Sequence, residues 1–278
     1  MPITRRNFMK LTGAGLLGGL APRSIATSTQ LSTTTPGREF HGSDLSGWKR
    51  CLGDGIFTAS GEVPVNAGDI DTLNFGSYSE LQANIHTRRI MAHNITTRRI
   101  RDRQGLNYRF RSSFQFSLPY LPEKGNYDLN AQTLEGGMFV WDGAVTRLDY
   151  GLAFQWMLNP GGTVDAEFGT MRCWTSSGAG RWENVGYLEP DTAWHTVRLF
   201  FDIREQTTYF TIDDQHYPTC FTAIPKPASW GREIAPGLQM EIISLFPGER
   251  GRGALHKAEF KDWIWTWEPY GACDSPTG

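Results

Sequence analysis

The sequence predicts an all-β fold, either a sandwich or a barrel of short strands. From residue 38 onward, no window of about 11 or more residues keeps apolar residues at helical spacing, whereas several windows alternate strictly between apolar and polar residues. The chain contains 31 glycines and 15 prolines, and their clusters separate the alternating segments at the spacing typical of such folds. We find no internal repeat.

The first alternating segments predict strands with one polar face each. Residues 78–86 place a set of polar and aromatic side chains on one face: Tyr78, Glu80, Gln82, Asn84 and His86. Residues 107–118 place large apolar side chains on one face: Tyr108, Phe110, Phe114, Phe116 and Leu118. The opposite face of that strand carries Arg109, Arg111 and Gln115, so one side is core and the other is polar.

Two later segments extend the pattern. Residues 148–158 alternate bulky residues with Gly151, Ala153 and Gln155, and the small residues leave space on their face of the strand. Residues 194–203 and 209–213 predict a hairpin, in which His195 shares the apolar face with Val197.

The first 26 residues predict an export signal. Residues 4–10, TRRNFMK, match the twin-arginine motif of bacteria, and the apolar run at 11–21 is shorter than the roughly 20 residues of a membrane-spanning helix. A small-x-small cleavage pattern follows at 24–26. We therefore expect translocation of a folded protein by the twin-arginine export machinery, and a periplasmic or extracellular location. An ordinary secretory signal or a disordered basic arm is the alternative.

Composition and length limit the domain organisation and the partners of the rest of the chain. Residues 27–37 are rich in serine and threonine and predict a flexible leader, and residues 38–278 have the length of one large all-β domain. The net charge is −2, and it becomes −6 when Arg5, Arg6, Lys10 and Arg23 are removed with the signal. A mildly acidic chain without a basic stripe does not predict nucleic-acid binding, and no later segment predicts a stable membrane anchor.

The four cysteines all lie in the exported portion, where disulfides persist. Their wide spacing excludes a zinc ribbon. Because the first and last strands of a sandwich are often neighbours, we favour pairing Cys51 with Cys273 and Cys173 with Cys220. Four buried free thiols are the alternative.

Three segments resemble one superfamily. Residues 40–48, FHGSDLSGW, resemble the opening strand of concanavalin A-like sandwiches, in particular of 3-keto-disaccharide hydrolase domains. Residues 194–198, WHTVR, with 210–214, FTIDD, are similar to a hairpin shared by laminin-G-like modules, β-glucan-cleaving members and lectins. Residues 258–265, AEFKDWIW, look like the closing strand that pairs beside the opening one. The resemblance implies a concanavalin A-like jelly-roll β-sandwich of two antiparallel sheets.

The resemblance does not carry an active site over to this chain. Members that hydrolyse β-glucans carry a run such as E-x-D-x-x-E on one strand, and this sequence has none. The keto-disaccharide family usually has an acidic residue shortly before a glutamine that aligns with Gln155, where this chain has Ala153 and Phe154. The matched motifs therefore indicate the fold rather than the chemistry.

Two cleavage chemistries have candidate residues. Hydrolysis needs two carboxyl groups about 5–10 Å apart, and the acids on predicted strands are Asp142, Asp149, Glu167 and Glu241. Elimination from a uronate polymer needs a cation or amide to neutralise the sugar carboxylate and a base to take the proton. The residues that we assign to catalysis are His86, Arg109, Arg111, Gln115, Asp149 and Gln155. Solvated strand faces carry the same residue types.

Sugar binding also requires flat aromatic faces and polar side chains. We expect Trp263, Trp265 and Trp267 to pack in the core, and Trp141, Trp174 and Trp182 to be more exposed. The residues that we assign to substrate binding are Gln82, Asn84, Trp141, Arg172, Trp174 and Glu241.

No cofactor is predicted. Asp69 and Asp71, near Asn74, supply oxygen ligands of the kind that Ca²⁺ prefers, but the calcium-loop pattern is absent. No phosphate-binding glycine loop or serine-hydrolase elbow occurs.

The sequence therefore predicts an exported protein that binds a polysaccharide or oligosaccharide and cleaves it by hydrolysis or elimination. A non-catalytic glycan-binding envelope module is the first alternative, and a small-molecule cyclase or isomerase on the same fold is the second.

Overall fold

The structure of the protein is a computed structural model. It describes residues 38–52, 70–83, 92–99, 108–125, 132–141, 150–158, 167–175, 182–202, 205, 207–219, 237–246 and 256–269.

The described residues form strands and turns, without a helix. The strands are β1 (Arg38–Gly42), β2 (Lys49–Leu52), β3 (Ile70–Asn74), β4 (Ser79–Ala83), β5 (Ala92–Arg99), β6 (Tyr108–Ser117), β7 (Gln132–Trp141), β8 (Tyr150–Leu158), β9 (Thr170–Thr175), β10 (Trp182–Tyr187), β11 (His195–Asp202), β12 (Thr207–Ile212), β13 (Gln215–Tyr217), β14 (Gly237–Phe246) and β15 (His256–Pro269).

The strands pair into two sheets, and every pairing is antiparallel. Sheet A has the order β13-β12-β11-β6-β15-β4-β3, with β1 also paired to β15. Sheet B has the order β10-β9-β8-β7-β14-β5-β2. The chain crosses between the sheets repeatedly, for example from β5 in sheet B to β6 in sheet A and back to β7. This is the jelly-roll sandwich that the sequence predicts.

Alternation of side chains explains why the two sheets pack together. Phe114, Phe116 and Phe210 of sheet A and Phe154 of sheet B are fully buried. The ring centroid of Phe154 lies 6.2 Å from that of Phe114 and 6.0 Å from that of Phe116. The predicted apolar faces of residues 107–118 and 148–158 are therefore both core faces. We call the opposite face of each sheet its outer face.

The opening and closing strands are neighbours, as predicted. Phe40 of β1 pairs with Trp265 of β15, and Gly42 pairs with Trp263. A Cβ atom on Gly42 would lie 2.7 Å from Trp263 Cζ2, so this close approach requires glycine. Trp263 Nε1 also donates a hydrogen bond to Asp44 O at 2.5 Å. The expectation that Trp263, Trp265 and Trp267 belong to the core is confirmed, since all three are buried.

The predicted hairpin at residues 194–213 is confirmed as β11 and β12. Asp213 and Asp214 form the following turn with φ values of 50° and 68°, a left-handed conformation that aspartate tolerates better than most residues. His195 is buried at the start of β11, with Nδ1 2.5 Å from Asp213 Oδ2 and Nε2 2.9 Å from Asp191 Oδ1. Its contacts therefore join the start of β11 to the turn after β12.

Candidate functional site

The outer face of sheet A carries Arg109 and Arg111, and both side chains form ion pairs. Arg109 Nε lies 3.3 Å from Asp202 Oδ2, and Arg111 Nη1 donates a hydrogen bond to Glu268 Oε1 at 2.7 Å. The Arg111 guanidinium also lies 5.5 Å from the ring centroid of Phe200. Both predicted catalytic arginines therefore pair with carboxylates of the protein itself.

The same pairing continues across sheet A. Arg198 Nη1 lies 2.6 Å from Asp214 Oδ1, and Lys257 Nζ lies 3.0 Å from Glu80 Oε1. Gln82 donates a hydrogen bond to Glu80. Pairs of this kind on an open surface contribute little to stability and are screened by salt. Where both partners are exposed, as in the pair of Arg198 with Asp214, the face has the character of a solvated strand surface.

Much of the outer face of sheet B is sheltered from solvent, although Asn184 on the edge strand β10 is exposed. Side chains that point away from the core are nonetheless nearly inaccessible: Thr133 (1% exposed), Glu135 (2%), Ala153 (0%), Met157 (2%) and Trp174 (2%). On the outer face of sheet A, Ile264 is 42% exposed, whereas Ser117, Asp202 and Thr211 are buried there too. Polar groups on sheet B therefore lie in a less aqueous environment, where electrostatic interactions are stronger.

One row of polar residues crosses this sheltered face, and we call it the polar row. Glu135 on β7 pairs with Gln155 on β8, which pairs with Arg172 on β9, which pairs with Asn184 on β10. Residues directly opposite one another in an antiparallel sheet share a face, and neighbouring strands are about 4.8 Å apart. The row thus brings a carboxyl, an amide and a guanidinium onto one face.

Hydrogen bonds order the side chains of the polar row. Gln155 Nε2 donates to Glu135 Oε2 at 2.8 Å, and Arg172 Nη2 donates to Trp182 O at 3.4 Å. The ring of Trp174 lies on the same face, two residues beyond Arg172 and opposite Ala153. The polar row therefore has the ordered carboxyl of Glu135 on one side and the guanidinium of Arg172, with the Trp174 indole beside it, on the other.

The backbone register extends the polar row in the other direction. Glu135 pairs with Ser244 on β14, and Ser244 pairs with His93 on β5. Glu241 pairs with Gly137, the residue two positions along β7 from Glu135, across an irregular stretch of β14. Only the backbones of Ser244, His93 and Glu241 are described.

The structure separates the predicted site residues into two groups. Arg109, Arg111, Gln115 and Gln82 belong to the outer face of sheet A, whereas Gln155, Arg172 and Trp174 belong to that of sheet B. The core lies between the two faces, so the two groups do not form one site. Alternation shows which residues of a strand share a face, but it does not show to which sheet the strand belongs.

Other predicted site residues are not located. His86, Asn84 and Asp149 lie outside the described residues, and for Trp141 only the backbone is described. The expected exposure of Trp174 is wrong, because this side chain is buried on the sheltered face.

Glu135 escaped the sequence analysis. It stands in the segment TLEGGM at 133–138, where the two glycines obscure the alternation of a strand. The signal available was a single carboxyl between Leu134 and Gly136, inside a segment otherwise free of charge. Its place beside Gln155 follows from strand register alone.

The cysteine and metal predictions stay predictions. Cys173 is buried in sheet B, Cys51 is described only as backbone, and Cys220 and Cys273 lie outside the described residues. Within the described segments, no group of three or more His, Cys, Asp or Glu side chains is arranged to hold a metal ion. Of the suggested calcium ligands, Asp71 is exposed, Asn74 Oδ1 accepts a hydrogen bond from Ser79 Oγ at 2.5 Å, and Asp69 is not described.

Two tyrosines on the edge strands β10 and β13 have raised pKa values. The Tyr187 hydroxyl donates to Glu189 Oε2 at 2.6 Å, and this hydrogen bond is the main cause of its raised pKa. Burial raises the pKa of Tyr217 to about 12, with a smaller contribution from the charge of Asp213. Both side chains are therefore neutral hydroxyl donors at ordinary pH.

Among the described residues, we find no helix with the length and apolar character needed to cross a bilayer.

Comparisons with known proteins found similarity only to solved structures. The sequence matches no family model and no curated protein. A basic winged bean lectin solved with Tn-antigen is similar over 84% of this chain and 100% of its own, with a TM-score of 0.46 and 11% identity. The lectin UEA-II solved with galactose has a TM-score of 0.48 and 9% identity over 84% of this chain and 100% of its own. A carbohydrate esterase from the Shiga toxin-encoding bacteriophage phi24B has a TM-score of 0.43 and 12% identity, over 81% of this chain and 91% of its own. Similarity at this level carries no information on ligand or activity.

Proposed function

We propose that the protein binds a polysaccharide or oligosaccharide on the outer face of sheet B and hydrolyses it, with Glu135 as the acid/base residue. The observation that supports this is the polar row itself, since Glu135, Gln155 and Arg172 converge on a face that the protein shelters from water. Convergent polar groups in a sheltered site are a general mark of catalytic surfaces.

Each member of the row has a chemical task in this proposal. Glu135 transfers the proton at the glycosidic oxygen, and Gln155 fixes the carboxyl through its 2.8 Å hydrogen bond. Arg172, which is half-buried, and Asn184, which is exposed, donate hydrogen bonds to sugar hydroxyl or carboxyl groups. The predicted role of Arg172 in substrate binding is kept, whereas Trp174 is too buried to contact a sugar.

The strand register supports hydrolysis through the placement of a second acid. Glu241 pairs with Gly137, the residue two positions along β7 from Glu135, and the register of β14 shifts between Glu241 and Ser244. Glycosidases place their two carboxyl groups about 5–10 Å apart. On this register, Glu241 is the candidate for the partner carboxylate of Glu135.

Elimination from a uronate polymer is the second candidate, and the register of His93 favours it. The row then supplies Arg172 to neutralise the sugar carboxylate and Gln155 to bind it, while His93 occupies the continuation of the same row on β5. Elimination leaves an unsaturated sugar, whereas hydrolysis does not, so the product distinguishes the two chemistries.

Glu135→Gln tests the proposal. This change keeps the shape of the side chain and a hydrogen-bond acceptor for Gln155, so we expect the fold to persist while turnover falls by about 10²–10⁴-fold. The substrate panel contains neutral polysaccharides, uronate polymers and 3-keto-disaccharides, the last because of the resemblance to that hydrolase family. New reducing ends measure hydrolysis, and ultraviolet absorbance of unsaturated products measures elimination.

Glu259→Gln is the matched control. Glu259 lies on the outer face of sheet A, where Ser117 Oγ donates to it at 2.7 Å, and it belongs to no part of the polar row. Full activity of Glu259→Gln with loss in Glu135→Gln supports the proposal. Equal activity of both variants, or glycan binding without any product from the wild-type protein, refutes the catalytic assignment and favours a non-catalytic binding module.

We also propose export through the twin-arginine pathway, on the strength of Arg5 and Arg6 in the TRRNFMK motif. Replacing both arginines by lysine should keep the protein inside the cell, as measured by fractionation. Unchanged export of that variant refutes this route.

A further inference from the structure

Three aromatic side chains lie together at one end of sheet A, and we call them the aromatic patch. The ring centroids of Phe75 and Tyr78 are 4.7 Å apart, and those of Tyr78 and Trp194 are 6.4 Å apart. Phe75 is 53% exposed, while Tyr78 and Trp194 are half-buried. An exposed ring packed beside two half-buried rings offers a flat apolar surface to a ligand.

The patch is ordered before any ligand arrives. Phe75 N donates to Tyr78 O at 2.9 Å, which closes the turn between β3 and β4. Gly76, with a φ of 81°, occupies that turn, and its N–H donates to Asp44 Oδ2 at 3.1 Å. The rings therefore lose little conformational freedom on binding.

Lys261 supplies a positive charge at the patch. Its Nζ lies 4.1 Å from the ring centroid of Trp194, a cation–π contact, and its strand position pairs with Gln115 on β6. The other lysines and arginines with described side chains on this face all have carboxylate partners: Arg109, Arg111, Arg198 and Lys257. Among the described residues, no carboxylate forms an ion pair with Lys261.

We propose that the aromatic patch, Lys261 and Gln115 form a binding site for an acidic glycan, separate from the polar row. The rings contact the apolar C–H face of a pyranose, and the Lys261 ammonium pairs with a carboxylate or sulfate on the same or the adjacent sugar. Gln115 adds an amide that bonds to hydroxyl groups. This site lies on sheet A, so it does not depend on cleavage at Glu135.

The test measures binding in a background that cannot turn over substrate. Full-length protein carrying Glu135→Gln is titrated with polygalacturonate, which supplies carboxylates, with dextran sulfate, which supplies sulfates, and with neutral dextran. We expect the protein to bind at least one of the two acidic polymers and to bind neutral dextran much more weakly. Tryptophan fluorescence reports binding, because Trp194 lies within the site.

Two variants and one control localise the interaction. Lys261→Gln should weaken binding of the acidic polymer by about tenfold, and Phe75→Ser should weaken it without lowering the melting temperature, because Phe75 is exposed. Lys257→Gln removes the same charge four residues earlier on β15, from a lysine already paired with Glu80, and should leave binding nearly unchanged. Equal losses in Lys261→Gln and Lys257→Gln indicate nonspecific charge attraction and overturn the proposal, as does wild-type-like binding by Lys261→Gln and Phe75→Ser. Absence of binding to either polymer also overturns it, whatever the activity of Glu135.

Discussion

The variant Gln155→Leu tests whether Gln155 positions the Glu135 carboxyl or has a purely structural role. Gln155 Nε2 donates to Glu135 Oε2 at 2.8 Å, and the Glu135 carboxyl is only 2% exposed. Leucine has a similar volume and no donor, so the change removes the hydrogen bond and leaves a sheltered carboxyl oxygen without this donor. Hydrogen bonds to charged groups contribute about 1.5–3 kcal/mol, so we expect a loss of about that size in the free energy of unfolding.

The melting temperature should fall by about 3–12 °C, since about 2–4 °C per kcal/mol is typical of a domain of this size. The matched control is Gln82→Leu, which removes the same kind of donor from Glu80 on sheet A. Glu80 keeps its ion pair with Lys257 at 3.0 Å on a more open surface, so the control should lose less than about 1 kcal/mol.

A double-mutant cycle with Glu135→Leu isolates the pair itself. If Gln155 acts through Glu135, the coupling free energy is about 1–2 kcal/mol, and Gln155→Leu changes the pH profile of turnover as well as its rate. A coupling near zero, or an unchanged pH profile together with an unchanged melting temperature, refutes the assignment of Gln155 as a positioning residue.

Three further predictions concern the frame around the site. Gly169→Ala should destabilise the protein by about 2–4 kcal/mol in denaturant titrations, because φ is 85° and the new Cβ would lie 2.9 Å from Tyr187 Cζ; wild-type stability would show that the turn rearranges. For Tyr217, the folded-state pKa of about 12 exceeds the ordinary value of 10.0, so the contribution of the neutral hydroxyl to the free energy of unfolding is complete below pH 10 and is lost as the pH rises to 12. Over this interval, the melting temperature of Tyr217→Phe should therefore fall less than that of the wild-type protein. Arg111→Gln should change the stability by less than about 1 kcal/mol and leave turnover intact, because its ion pair is exposed; a tenfold loss of turnover would return sheet A to consideration as the catalytic face.

The strands of the core were predictable from the sequence because burial on one face imposes a period of two. Phe110, Phe114 and Phe116 on β6, and Phe154 and Trp156 on β8, follow that period, with the small buried residue Ser112 between Phe110 and Phe114. The pairing of the first and last strands was predictable from motif resemblance, and the contact between Gly42 and Trp263 shows its physical basis.

The composition of the site was not predictable, because it depends on which strands become neighbours. Gln155 and Arg172 were both candidates, but nothing in the sequence places either beside Glu135. Trp174 was expected to be exposed because it lies near the polar strands. Its burial results from the sheltering of this part of the outer face of sheet B, a tertiary effect that local alternation does not record.

Residue preferences for β-strands and the observed structure disagree most at Glu135, and this disagreement supports a functional role for that residue. Glutamate and glycine are both unfavourable in the middle of a strand, yet β7 places Glu135 directly before Gly136 and Gly137 in the interior of sheet B. Replacing the carboxyl by a threonine or valine would suit both the strand and the burial. Residues that contradict local preference concentrate at functional sites, which supports the catalytic role that we propose for Glu135.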